Sequence, residues 1–164
     1  CHLDISLENM LLNDVLFTMD PYNPNKIHFV PKFSVKLCDF GLAEVFDLKT
    51  NPNFICNKFC GKTAYKAPEI YSKKHNFDAR KADIWSLGVC LWCLVIGCMP
   101  FNIPSDNDPI YQWVASGNVS AIIQKWQKSN YVNNQIISCL NKIFKKEPNK
   151  RISIQKLLKH PFLL

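Results

Sequence analysis

The stretch Asp83-Ile84-Trp85-Ser86-Leu87-Gly88-Val89-Cys90-Leu91-Trp92-Cys93-Leu94-Val95-Ile96-Gly97-Cys98-Met99-Pro100-Phe101 carries no charge after its first residue. At helical spacing its apolar side chains fall on every face: Ile84, Leu87, Leu91 and Leu94 on one, Val89, Trp92, Val95 and Ile96 on others. That distribution favours a helix buried in a core over an amphipathic surface helix. A membrane span is the rival reading, since about eighteen apolar residues can cross a bilayer. Ser86, Gly88, Gly97 and Pro100 interrupt the run and leave a clean helical stretch of only about fifteen residues, too short for a comfortable span. Asp83, at the start, either caps the helix or reaches out of it to hold the backbone N–H groups of a neighbouring loop.

Outward from this axle, 164 residues with 48% hydrophobic and 12% aromatic content suffice for one domain with a real core and argue against disorder. The net charge is +7 and the pI about 9.0. The lysines are scattered and no dense basic run with interleaved aromatics occurs, so nucleic-acid binding is not expected. A solvated surface, or affinity for phosphate-bearing ligands, explains the charge as well. Of eight cysteines, Cys90, Cys93 and Cys98 lie in the apolar helix region, as buried thiols of a reducing compartment do. The expected location is therefore intracellular and cytoplasmic. Cys56 and Cys60 are spaced as zinc ligands can be, but no paired Cys or His set follows at finger-like distance. No signal peptide is visible, and the chain opens on Cys rather than Met, so residue 1 is not expected to be the true start.

From its first residues the chain reads His2-Leu3-Asp4-Ile5-Ser6-Leu7-Glu8-Asn9, then the apolar Met10-Leu11-Leu12. An Asp and an Asn five apart on a loop can present a carboxylate to a hydroxyl proton and an amide oxygen to a metal ion, two tasks phosphoryl transfer needs together. The plainer reading is that both serve turns. Residues 13 to 35 are polar and punctuated by Pro21, Pro24 and Pro31, with a possible extra strand around Ile27 to Val30, and read as an insertion between two strands. Phe33 to Cys38 alternates like a strand and delivers Asp39-Phe40-Gly41, a carboxylate on a turn within reach of a phosphate-bridged Mg²⁺. Mixed loop residues then lead to Gly61-Lys62-Thr63-Ala64-Tyr65-Lys66-Ala67-Pro68-Glu69.

With Asp83-x-Trp85-Ser86-Leu87-Gly88, Gly97-x2-Pro100-Phe101, Pro148-Asn149-Lys150-Arg151 and His160-Pro161-Phe162, these motifs run in an order that resembles the C-terminal lobe of eukaryotic protein kinases over essentially the whole chain. His-Leu-Asp in place of His-Arg-Asp, and Phe77-Asp78-Ala79-Arg80-Lys81-Ala82-Asp83 before the long helix, are similar to the FIKK-type kinases of apicomplexan parasites. The resemblance implies a protein kinase-like α+β fold, a mainly α-helical C-terminal lobe around a buried central helix. It implies one partial kinase domain over 1–164, with residues 39–69 as the activation segment. The expected activity is transfer of the γ-phosphate of ATP, with Mg²⁺, to Ser or Thr hydroxyls of a protein substrate. The alternative is a pseudokinase or truncated lobe that docks partners without catalysis, through the Trp113 helix. Export to a host cell follows only from the resemblance.

Residue by residue, the resemblance implies Asp4 as the catalytic base or hydroxyl-orienting group, Asn9 and Asp39 as Mg²⁺ ligands, and Leu11 as part of the floor beneath adenine. It places His2 and Phe40 in a stack toward the upper lobe, and gives Asp83 the task of holding the catalytic loop. Arginine usage supports it: Arg80 and Arg151 stand against eighteen lysines, so each marks a place where a planar fork matters. The resemblance implies that Arg151 pairs with Glu69 in a buried ion pair; the alternative is an exposed arginine. Pro109 to Ser116 is expected as a helix, and Ser153 as the cap of a last one with Ile154, Leu157 and Leu158 facing inward.

Three features depart from the kinase pattern. Leu3 stands where an arginine usually grips an activation-loop phosphate, so the enzyme is not expected to need such a phosphate, on Thr50 or elsewhere. Ser6 stands where serine/threonine kinases have a lysine and Lys62 where they have a threonine. Lys62 either supplies the missing cation from the opposite wall or is a solvent-facing lysine. None of the five glycines forms a G-x-G-x2-G cradle, so the ATP-covering N-terminal lobe is expected to be absent from this chain and required for activity.

Overall fold

The computed structural model describes residues 1–13, 16–20, 23–30 and 34–164. The chain divides into two compact units, one of Cys1–Ser6 with Phe40–Leu164, the other Leu7–Asp39.

The larger unit is helical and is built on α2, Ala79–Ile96. Its start is set by Asp78, whose backbone is extended and whose carboxylate accepts the Arg80 N–H at 3.0 Å. The helix therefore begins a turn before Asp83, which does not cap it. Gly97 ends it at φ +84° with its N–H on the Cys93 carbonyl, a left-handed stop that glycine makes without steric cost. Trp85, Val89, Cys90 and Trp92 are wholly buried, but Leu94 is 70% exposed. The expectation of burial on every face is thus corrected: the Leu87, Leu91, Leu94 ridge climbs out of the core along the helix.

The unit also contains α1 (Pro68–Tyr71), α3 (Pro109–Ala115), α4 (Val119–Lys125), α5 (Asn134–Ile143) and α6 (Ile154–Leu157); α5 packs on α2, α4 on α5 and α3 on α4. The centre is aromatic: the Trp85 ring lies 5.9 Å from Phe101, 6.0 Å from Tyr111 and 5.0 Å edge-on from Phe144, while Trp92 meets Trp126 at 5.7 Å. Gly88 lets α2 and α5 approach, since a Cβ there would stand 2.3 Å from Ile143 Cγ2. Asp108 caps α3 and ties the preceding loop to it, accepting N–H groups of Asn102, Ile103, Ile110 and Tyr111. In α6, Ser153 accepts the Lys156 N–H, Leu157 is buried, and Ile154 and Leu158 are exposed. Ile154, Leu157 and Leu158 share one face of the turn, yet only Leu157 is covered, which corrects the inward placement of all three. A short pair of strands, β5 (Ile55–Cys56) and β6 (Phe77–Asp78), leads into α2.

In the smaller unit, β1 (Met10–Asn13) pairs antiparallel with β4 (Ser34–Leu37), from Met10 opposite Leu37 to Asn13 opposite Ser34. Between them in sequence, β2 (Leu16–Asp20) and β3 (Asn23–Val30) pair antiparallel. Pro21, Pro31 and Phe33 lie outside the described residues. No described helix is long and apolar enough to cross a membrane.

Candidate active site

In the larger unit the site grows from an uncommon backbone. Leu3 is buried and left-handed at φ +64°, a conformation that costs a branched-chain residue on the order of 1 kcal/mol or more. Two contacts hold it there. The Asp83 carboxylate reaches out of α2 and accepts the N–H groups of His2 at 2.7 Å and Leu3 at 2.8 Å, one on each oxygen. Burial pushes the Asp83 carboxyl above its ordinary value, and the two N–H donors work against that rise. The His2 ring stacks at 5.1 Å on Phe40, which is itself 63% exposed, and its Nδ1 lies 3.3 Å from the Asp4 nitrogen.

Asp4 is buried at 9% exposure. Lys62 holds both of its oxygens: the Lys62 backbone N–H donates to Oδ1 at 2.9 Å and the ammonium to Oδ2 at 3.2 Å. The same ammonium reaches the Ser6 hydroxyl oxygen at 2.9 Å. Lys62 is therefore not a solvent-facing lysine, although its side chain keeps 39% of its surface exposed. Gly61 makes the approach possible. Its φ is +88°, and a Cβ there would stand 2.7 Å from the Leu3 carbonyl oxygen, so any side chain would push the 61–69 segment away from Asp4. Ser86 on α2 secures this segment from below by donating its hydroxyl to the Tyr65 carbonyl at 2.8 Å. Cys60 flanks it, with burial raising its thiol above the usual range.

The same segment is anchored at its end. Arg151 makes a two-bond fork with Glu69, at 2.7 and 2.9 Å, with the two side chains 0% and 3% exposed. Its remaining donors go to the Lys81 and Lys145 carbonyls, and its guanidinium lies 5.0 Å from the Trp85 ring centre. Thr50 is exposed and turns its hydroxyl to Asp47. Trp113 on α3 is half exposed, under the Lys125 ammonium.

In the smaller unit, Asn9 ends the single 3-10 turn before β1, and its carbonyl accepts the Cys38 N–H at 3.0 Å just past β4. The antiparallel pairing therefore puts Asn9 and the Cys38-Asp39 step at one end of the β1–β4 pair. Asp39 is left-handed at φ +61° and exposed; Leu11, on β1, is 53% exposed. An amide oxygen and a carboxylate are the hard oxygen donors that Mg²⁺ prefers. Among the described residues no group of three or more His, Cys, Asp or Glu side chains could hold a metal, Cys56 and Cys60 included. A Mg²⁺ at Asn9 and Asp39 would accordingly need further ligands from phosphates and water, the usual habit of that ion.

Sequence reasoning missed Gly61 and Ser86 as parts of the site, and the left-handed Leu3. The close approach at Gly61 had one available signal, a glycine directly before the segment that faces Asp4.

A family profile described as "Protein kinase domain" matches residues 1–163. The chain is similar to the serine/threonine-protein kinase SAPK7 of Oryza sativa subsp. japonica, 31% identical over 164 residues that cover all of this chain and 40% of the relative. It is similar also to the serine/threonine-protein kinases SRK2F of Arabidopsis thaliana (30% over 171 residues, 41% of the relative) and SRK2A of Physcomitrium patens (30% over 164, 41%). The chain thus spans about 40% of the length of these curated relatives.

Proposed function

The chain belongs to the protein kinase domain family, and from that membership we propose that its protein transfers the γ-phosphate of MgATP to Ser or Thr hydroxyls of a protein substrate. The observation that carries the proposal is the grip of Lys62 on Asp4. A carboxylate meant to receive or orient a hydroxyl proton must be fixed yet accessible. Asp4 has one oxygen held by a backbone N–H and the other by an ammonium, contacts that fix the direction of a carboxylate that has to orient a hydroxyl.

In this reading Asp4 orients the attacking hydroxyl. Lys62, bonded also to Ser6, supplies the positive charge that steadies the developing phosphoryl charge. Asn9 and Asp39 would hold Mg²⁺, which when bound neutralises phosphate charge, and Leu11 would lie beneath adenine. Asp83 positions the loop through His2 and Leu3, and the Glu69–Arg151 fork fixes the segment that faces the substrate. With Leu3 in place of an arginine, activity requires no phosphate on the 39–69 segment. The motif wording at His2-Leu3-Asp4 and Phe77–Asp83 supports a FIKK-type kinase. The elements that cover the ATP phosphates are supplied from beyond these 164 residues, as the greater length of the relatives suggests.

The test is steady-state peptide phosphorylation by the full-length protein and its Lys62→Met variant. The Lys62 side chain is part-buried against Asp4, so melting curves of both proteins accompany the kinetics to separate lost chemistry from lost fold. The reading expects kcat to fall about a hundredfold with the peptide KM changed by less than about threefold, the mark of an interaction made in the transition state. Unchanged kcat would remove Lys62 from the chemistry. Absence of MgATP binding and of transfer in the wild type would favour a docking lobe.

A further inference from the structure

From Pro109 to Leu164 the sequence has eight lysines and one arginine against a single acid, Glu147. Folding gathers most of these charges. Lys142 at the end of α5, Lys150 in the connection that follows, Lys156 in α6, Lys159 just beyond it, and Lys81 of α2 line one pocket of about 420 Å³; Lys145 borders it too, but its ammonium stands beside Gly117. It shares no residue with the cavity beside Asp4. No carboxylate lines it. Among the described residues Lys142, Lys145, Lys150, Lys156 and Lys159 form no ion pair, although the neighbouring Lys146 pairs with Asp106.

The walls are fixed. Arg151 also borders the pocket, but its fork is committed to Glu69, and its carbonyl accepts the Lys81 ammonium at 2.5 Å. Burial lowers the Lys81 ammonium below its ordinary value; Asp78 opposes this, and the Arg151, Arg80 and Lys156 charges deepen it. His160 lines the pocket too, and burial, with Lys142 nearby, holds its ring below the ordinary histidine value. The shift disfavours the charged ring, so the charge of the site is chiefly lysine charge.

Like charges around one concavity repel one another and work against the compact state. An anion with several charges reverses the sign of that contribution. Ammonium groups are compact donors that suit phosphate oxygens, and charge-assisted bonds of this kind are the strong ones. A single phosphate would leave most of the lysines without a partner. The volume falls within the range of about 300–1,000 Å³ typical of small-molecule sites, and a concavity fits neither a flat bilayer nor a duplex.

We propose that this pocket binds a compact, multiply phosphorylated small molecule, free in solution or as the headgroup of a lipid. The experiment is calorimetric titration of the full-length protein with inositol hexakisphosphate as the probe, at about 150 mM salt so that exposed charge is screened. One-to-one binding is expected. Lys156→Gln with Lys159→Gln should weaken it by about tenfold or more, whereas Lys125→Gln with Lys128→Gln, an equal loss of charge outside the pocket, should change it less than about threefold. If the first pair lowers the melting temperature, the single exposed Lys142→Gln replaces it, with a loss of about threefold or more. Capture on phosphoinositide vesicles that is lost in the same variant assigns a lipid headgroup; solution binding without capture assigns a free molecule. Equal weakening by both lysine pairs, equally tight binding of duplex DNA, or no binding at all would overturn the proposal.

Discussion

Arg151 uses the whole of its guanidinium: five hydrogen bonds, two to Glu69, two to the Lys145 carbonyl and one to the Lys81 carbonyl. Arg151→Ala would strand the Glu69 carboxylate in a site 3% exposed. The expected loss is about 3 kcal/mol or more, read as a lower midpoint in denaturant unfolding of the full-length protein. Replacing both partners by methionine should cost less than removing either alone, because no charge is then left buried. An unchanged midpoint in Arg151→Ala would contradict the account of the pair. Arginine scarcity singled out Arg151 in the sequence, and the family resemblance named Glu69 as its partner. The left-handed Leu3 could not be read from the sequence, since nothing in the residue type signals it; only the two N–H groups converging on Asp83 explain how a leucine is kept there.

At the scale of elements, two glycines on or beside α2 answer different questions. A Cβ at Gly88 would collide with Ile143 on α5, so Gly88→Ala should destabilise by about 1–3 kcal/mol through overpacking. At Gly97 nothing lies within 4 Å, and Gly97→Ala should cost only the positive φ, about 1 kcal/mol. Equal unfolding midpoints for the two variants would argue against the close α2–α5 crossing. Asp108 offers a pH test. Burial pushes its carboxyl up, but four backbone N–H donors outweigh that and hold it below the ordinary 3.8. A carboxylate so depressed stabilises the fold above that ordinary value, and the contribution is lost as pH falls below it toward the folded value. The stability gap between wild type and Asp108→Asn should therefore be full at pH 7 and shrink below about pH 4. A gap that stays constant with pH would count against the four-donor cap. The sequence announced α2 by its uncharged run but misplaced its start. A cap at Asp78 and a loop-holding Asp83 are both acids beside an apolar stretch, and only the extended backbone at Asp78 separates them. Leu94 looked buried for a similar reason: an uncharged face does not reveal which side the neighbouring helices leave open.

For the molecule as a whole, the order of the motifs carried most of what could be read, because those at His2–Asn9, Asp39–Gly41 and Asp83–Gly88 come in a fixed succession along the chain. The lysine pocket was not legible, since its residues lie at positions 81 and 142 to 159 and only packing of α2, α5 and α6 assembles them. The activity proposed for the protein is Mg²⁺-dependent phosphoryl transfer to a protein substrate. The most direct measurement is transfer of labelled γ-phosphate to a mixed peptide library by the full-length protein and by its Asp39→Ala variant, with melting curves for both. Transfer by the wild type is expected, with a loss of about a thousandfold or more in the variant that exceeds what any change in its melting curve accounts for. Transfer that survives Asp39→Ala undiminished, or a wild type that neither binds MgATP nor phosphorylates any peptide, would contradict the proposal.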